Sequence, residues 1–390
     1  TGLHRTVELH SVPEPCAIAD YVVSAVPSEP GRGALTVRVS LTSPPAAGGL
    51  SLRWRLLGGP AKNTTLVEQV LQVREGRERV ESVSVPVANV QWWSAEEPAL
   101  YPLLLELLDA EGQVLQAECA SVGFRSVGIA DGQLRVNGKP IVVCGANVHE
   151  LHPTRGKAIK EEDMLKDIRL LKAGNFNAVR NSHYPHHARW YELCDEHGLY
   201  VVDEANIETH GFATNCAISL LACDRRWRAQ FLYRTQNMFE RSKNHASVIV
   251  WSLGNESGWG PNFEACKEFL VAADEQRRPV QYEGAEHHGD AVLFMGDGQG
   301  PVSDIICPMY HGPDMILNYA SDGRPVVLCE YTHAMGNSNG SLHTYWQLFW
   351  STDSPHRSLQ GGFVWEWADG ALKVPLRPLG VAKPGVAEAA

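Results

Sequence analysis

The chain carries 390 residues, 44% of them apolar and 20% charged, enough to bury the cores of two or three domains and unlike a disordered polymer. Its formal net charge is −11 with no basic block, which argues against the concentrated positive face that nucleic-acid binding requires. No apolar run reaches the length of a membrane span, and the nine cysteines show no CxxC spacing, so reduced, mostly buried thiols are expected in place of a disulfide scaffold or zinc ribbon.

From Thr1 to about Val127, short β-type runs alternate with Gly and Pro. Ala34 to Leu41, Ser51 to Leu57, Val80 to Val85 and Leu103 to Leu108 are examples. Near-regular strand spacing without a helical period predicts an immunoglobulin-like β-sandwich over residues 1–126. Trp92 and Trp93 are assigned to core packing. A junction falls near Gly123 to Gly132, after which strand, loop and helix repeat. Buried runs at Ile141 to Cys144, Asn177 to Arg180, Tyr200 to Asp203, Val248 to Leu253, Val280 to Tyr282, Asp304 to Cys307, Val326 to Cys329 and Gly362 to Trp365 supply the eight strands of a (β/α)8 TIM barrel over residues 127–372. A helix is predicted from about Lys160 to Lys172, with Met164, Ile168 and Leu171 on one face and Gly174 as its cap. Another is predicted from about Arg225 to Lys243, with Trp227, Phe231 and Met238 on a stripe. Residues 373–390 read as an irregular tail, leaving the eighth strand without its covering helix. The chain begins at Thr1 in a strand-like segment already under way and is expected to be an internal piece of a longer protein. The compartment stays open, with the cytoplasm favoured, and a homo-oligomer of the full-length protein is left open. The sequons at Asn63 and Asn339 are taken as chance.

In a barrel, the side chains at the C-terminal ends of the strands converge on one site. Here those positions hold His149 and His152; Arg180, His183 and Tyr184; Asp203, Glu204, Glu208 and His210; Asn255 and Glu256; Tyr310; Glu330 and His333; and Trp365 and Glu366. Ionisable groups at nearly every strand end describe a polar pocket with several carboxylates. Glycoside hydrolysis needs such a pair, one acid to protonate the leaving oxygen and one carboxylate to attack the anomeric carbon. Glu256 and Glu330 follow the fourth and seventh strands, on opposite sides of the barrel, and could flank a sugar. A separation of about 5 Å means retention of configuration and about 6.5–9.5 Å inversion.

Three longer stretches make a specific resemblance. Trp251-Ser-Leu-Gly-Asn-Glu256-Ser-Gly is similar to the acid/base motif of glycoside hydrolase family 2, and Val327-Leu-Cys-Glu330-Tyr-Thr-His-Ala-Met-Gly-Asn to its nucleophile motif. Asn177-Ala-Val-Arg-Asn-Ser-His183-Tyr-Pro resembles a third signature; Asp203 to Gly211 and Asp304 to Tyr310 add two more. Within the family the match is to the large bacterial-type β-galactosidases. The resemblance implies hydrolysis of terminal non-reducing β-D-galactose from β-galactosides such as lactose, with retention, through a covalent galactosyl-enzyme. Glu256 would be acid then base, with a raised pKa. Glu330 would be the nucleophile, kept ionised by Arg180 and Tyr310. Asn255 would hold the sugar 2-hydroxyl, His149, His183 and His333 would bind hydroxyls or stabilise developing charge, and Trp365 would offer an apolar platform. Glu208, His210 and Glu256 resemble the family's Mg2+ site, two carboxylates and waters suiting a hard cation. His186-His187 and His287-His288 are expected as solvated loop residues.

The sequence also departs from that pattern. The family's N-terminal jelly-roll domain, which contributes to the sugar and Na+ sites, is absent from this chain, and so are further Na+ ligands after the eighth strand. Gly211 to Cys216 differs from the expected pattern. Two other readings therefore stand beside the first: another family 2 activity such as β-glucuronidase, and a truncated, catalytically silent fragment.

Overall fold

The computed structural model describes residues 3–43, 49–59, 61–76, 79–81, 84–215, 218–285, 302–336, 339–351, 353 and 356–374. The first region builds two antiparallel sheets. Strands β1 (Ile18–Pro27), β2 (Arg32–Leu41), β3 (Ser51–Gly58), β4 (Thr64–Gln72), β5 (Arg79–Glu81), β6 (Val85–Ala88), β7 (Tyr101–Leu108) and β8 (Val114–Val122) divide between them. One sheet runs β1-β2-β5 with β6 also on β2, and the other runs β4-β3-β7-β8. Alternation decides the packing: Leu35, Val37 and Val39 of one sheet face Leu52, Trp54, Leu56, Leu103 and Leu105 of the other. The run expected as one strand from Val80 to Val85 is two short strands, both paired to β2.

A three-stranded meander follows: β9 (Val127–Ala130), β10 (Gln133–Val136) and β11 (Lys139–Pro140). It closes the lower end of the barrel, where Leu134 and Val136 pack against Val143, Ala178, Val202, Val250, Ile305, Val327 and Phe363. Trp93 belongs to this cluster, fully buried, with its indole N–H donated to Asp195 O at 2.9 Å. It is core, as expected, but core of the barrel and not of the sandwich.

The barrel contains β12 (Val143–Val148), α1 (Glu161–Ala173), β13 (Ala178–Asn181), α2 (Ala188–His197), β14 (Tyr200–Glu204), α3 (Leu220–Cys223), α4 (Arg228–Ser242), β15 (Val248–Ser252), α5 (Pro261–Ala273), β16 (Val280–Gln281), α6 (Pro313–Ile316), β17 (Val326–Tyr331), α7 (Leu342–Phe349) and β18 (Leu359–Val364). The seven strands form one parallel sheet in the order β16-β15-β14-β13-β12-β18-β17. Successive residues alternate between interior and helix layer: Val202 points into the barrel, whereas Val201 meets the outer cluster with Met164, Ile168, Trp190, Met238 and Phe263. Glycine closes the ring, since a Cβ on Gly361 (φ +97°) would lie 2.0 Å from Val143 O, and one on Gly362 would lie 2.7 Å from Leu328.

Four expectations are corrected. The first barrel strand begins later than Ile141, because Ile141 N is still bonded to Leu134 O of the meander. Asp304 to Cys307 is no strand. Asp304 N reaches Val280 O at 2.7 Å on one side, and Ile306 N reaches Pro325 O at 2.9 Å on the other, but only the single bridge Ile306–Val326 forms beside β17 before Pro308, which has no N–H to donate. The long helix begins at Arg228 after a 3-10 turn, so Trp227 is 43% exposed and off the buried stripe of Phe231 and Met238. His186 is buried, not solvated, and burial drives its imidazole pKa down to about 4. Residues 365–374 contain no helix; the rest of the tail, like His287 and His288, lies outside the described residues.

Candidate active site

The centre of the barrel mouth is Arg180, at the end of β13 and fully buried. Its Nε donates to Glu204 Oε2 (2.8 Å), NH1 to Asn147 Oδ1 (2.8 Å) and Glu330 Oε1 (2.9 Å), and NH2 to Asn255 Oδ1 (2.8 Å). Burial opposes the charge, but Glu204 and then Glu330 outweigh it and hold the guanidinium pKa well above its usual value. One cation thus joins strands β12, β13, β14 and β17 and the loop after β15. It gives Glu330 a strong partner on one oxygen, while the Tyr310 hydroxyl donates to Oε2 at 2.5 Å. Burial and the Glu330 charge both raise the phenol's pKa, so Tyr310 keeps the proton it donates. Glu330 is 3% exposed.

Glu256 has a different environment. Its backbone lies in the left-handed region (φ 38°), and its amide donates to the Glu283 carboxyl. Its side chain meets His210 Nδ1. Burial first, then the negative charge of Glu330, push the Glu256 pKa up, against a smaller pull from His210. The two carboxylates therefore have different surroundings: Glu330 accepts one hydrogen from Arg180 and one from Tyr310, and Glu256 lies in a place that favours its protonated form.

Several other sequence-predicted residues join this network through shared partners, His183 through Glu204 and Arg180 and His333 beside Tyr310. His149, His183 and Trp365 form one aromatic group, His183 stacked on Trp365 (5.1 Å, 17°) and His149 edge-on to both at 5.4 Å. His333 lies 5.9 Å from Tyr310, ring centre to ring centre. Asn255 N bonds Ile207 O, which ties the loops after β14 and β15 together and brings Asn255 Nδ2 to 3.4 Å from Glu208. Ligand atoms of Glu208, His210 and Glu256 lie within 4.8 Å of one another. Two carboxylates and an imidazole at that spacing are a donor set a hard divalent cation accepts, with water completing its shell.

Four participants were given no role from the sequence: Asn147, Glu204, Glu283 and Glu366. Glu204 and Glu366 stood among the strand-end residues. Asn147 sits two positions before His149 and so shares its side of β12, a period-2 signal that was available. Glu283 follows a two-residue strand, too short to have a readable period. Asp203 is placed outside the site: it lies below the mouth, bonded to the Tyr191 hydroxyl (2.6 Å) and Asn181 (3.1 Å). His152 faces its own loop through Thr154 and Arg155.

A sandwich leading into a barrel with this mouth is the arrangement of a multidomain glycosidase, and residues 16–125 and 127–379 match the family models described as Glycosyl hydrolases family 2 and Glycosyl hydrolases family 2, TIM barrel domain. The chain belongs to glycoside hydrolase family 2. Among its relatives, the β-galactosidase of Enterobacter cloacae is 42% identical across 95% of this chain, and that of Alteromonas mediterranea 44% across 80%. This chain spans about a third of their length, 36% and 30% respectively. Among solved structures, β-glucuronidase from Ruminococcus gnavus in complex with D-glucuronic acid superposes with a TM-score of 0.74 at 22% identity, over 93% of this chain and 63% of that one. At that identity the likeness is one of fold.

Proposed function

We propose that this chain is the catalytic part of a retaining β-galactosidase, which removes terminal non-reducing β-D-galactose from β-galactosides such as lactose. The opposed settings of Glu256 and Glu330 carry the reading. Glu256, favoured in its protonated form, gives its proton to the glycosidic oxygen as the C–O bond breaks. Glu330 attacks the anomeric carbon and forms a galactosyl ester. Glu256, now a carboxylate, takes a proton from water, which attacks the same carbon and releases galactose with its configuration retained. Arg180 and Tyr310 hold Glu330 for in-line attack. Asn255, His149, His183 and His333 take sugar hydroxyls, and Trp365 covers an apolar sugar face. Glu208, His210 and Glu256 would hold Mg2+, whose charge would organise the acid/base loop.

The test is hydrolysis of 4-nitrophenyl β-D-galactoside and of the matching glucuronide by the purified chain. Turnover of the galactoside alone is expected. Glu330→Gln should lose activity by more than about 10³-fold and form no covalent adduct with a 2-fluoro galactoside by mass spectrometry. Normal turnover in that variant would remove Glu330 from the nucleophile role. Turnover of the glucuronide would favour the uronide reading, and no turnover from a folded chain would favour a silent fragment. Chelation should lower the rate and added Mg2+ restore it; full activity after complete metal removal would sink the metal proposal.

A further inference from the structure

Two carboxylates at the barrel mouth take no part in the bond chemistry above, yet each holds a histidine by the same ring atom. Glu204 is fully buried; its Oε1 faces His183 Nδ1 at 2.8 Å, while Oε2 accepts from Arg180 Nε (2.8 Å) and Ser252 Oγ (2.6 Å). Glu366 meets His149 Nδ1 at 2.6 Å. The two rings stand 5.4 Å apart at 81°, both against Trp365. An ionised carboxylate has only lone pairs to offer, so the nitrogen facing it carries the hydrogen. In the neutral ring, Nε2 is then an acceptor.

We propose that Glu204 and Glu366 are positioning residues that fix His183 and His149 as Nδ1–H tautomers, so that the pair offers two Nε2 lone pairs to the hydroxyls of a neutral sugar and turns away a sugar carboxylate. The proposal rests on the galactoside reading and adds a source for its discrimination against uronides. A hydroxyl donates to such a lone pair. A carboxylate sets lone pair against lone pair, and acceptors left unpaired in a closed site are costly. Arg180 does not compensate, because Glu204, Asn147, Glu330 and Asn255 occupy its guanidinium.

Long-range 1H–15N spectra of the 15N-histidine-labelled chain at neutral pH read each tautomer without substrate or turnover, and His149→Gln and His183→Gln assign the signals. Both rings should carry the proton on Nδ1. In Glu204→Gln the amide oxygen stays with Arg180 and Ser252, so its NH2 faces Nδ1 and the ring proton moves to Nε2; Glu366→Gln should move that of His149. Because a hydroxyl accepts as well as donates, the change is read as discrimination: each variant should bind methyl β-D-glucuronide about tenfold better relative to methyl β-D-galactoside than wild type does, the value of roughly one hydrogen bond in a closed site. Wild-type rings protonated on Nε2, or Gln variants that keep the wild-type tautomer, overturn the proposal. If Glu204→Gln fails to fold, the wild-type spectrum and Glu366→Gln, at a partly exposed carboxylate, still decide. Nδ1–H rings in a folded chain that hydrolyses no galactoside would support the positioning role and sink the galactosidase reading instead.

Discussion

At the scale of single residues, Arg180 is the atom cluster on which the site turns. It neutralises two buried carboxylates, so Arg180→Met should cost about 3–5 kcal/mol of stability, the penalty for leaving buried charge uncompensated, as well as activity. Urea midpoints at neutral pH read that loss, and a variant as stable as wild type would show that Glu204 and Glu330 are not charged together. Glu256 makes a pH prediction. Its pKa is raised in the fold by burial and by Glu330, so the folded state binds this proton more tightly than the unfolded chain. The stability this contributes is complete below the unfolded glutamate pKa of about 4.3 and is lost as pH rises through the folded value. Glu256→Gln should therefore gain in melting temperature relative to wild type as pH rises from about 4 to 7. In Glu330→Gln the Glu256 pKa should fall, because a like charge is removed, and 13C NMR of labelled glutamate follows that shift. Much at this scale was legible: most motif residues that end a strand reach the mouth, because strand ends converge, whereas Asp203 turns to Tyr191 and Asn181 instead. Glu204 stayed without a role because a buried polar residue acting through another side chain shows nothing in the sequence that a structural one would not, and Asn147 carried only the period-2 signal of its place before His149.

At the scale of elements, strands with strong alternation or continuous apolar runs were readable, and those set by side-chain interception were not. The stretch from Asp304 to Cys307 has the composition of a strand, but the Ser303 hydroxyl takes the Tyr282 amide and itself donates to Ile305 O, and Pro308 interrupts the row of donors before Tyr310 N resumes it at Glu330 O. Helix α1 was located with its three buried residues, Met164, Ile168 and Leu171. Its cap shows the limit: Gly174 stands at the cap with φ −83°, and the left-handed turn falls on Asn175 at φ 60°. Trp93 is where an element of one domain completes another's core. Trp93→Ala should destabilise by about 3–5 kcal/mol, as for other large buried aromatic truncations, with the loss read on the barrel, by the near-ultraviolet signal and by activity together.

At the scale of the whole molecule, the sandwich is fastened to the barrel by polar contacts that sequence periodicity does not show. Asn244 takes both the amide of Val23 (2.9 Å) and the carbonyl of Tyr21 (2.9 Å), and Lys243 reaches Asp20 at 2.6 Å. Arg125 is buried among the carbonyls of His245, Ala246 and Val248 and the Gln276 side chain, with burial and then Arg278 lowering its pKa to about 9. These contacts predict one cooperative thermal transition for both domains, and Arg125→Ala should lower it and separate it into two calorimetric peaks; a single unshifted peak would show that the domains are coupled elsewhere. The barrel wall itself is uneven. The stave between β16 and β17 is fastened by a few hydrogen bonds where its neighbours have ladders, and its upper end carries Tyr310, whose hydroxyl holds Glu330. Amides there should exchange with deuterium ahead of the rest of the ring. On heating, the proposed hydrolytic activity should then be lost several degrees before the circular dichroism changes, because the first plank to loosen is the one that steadies Glu330.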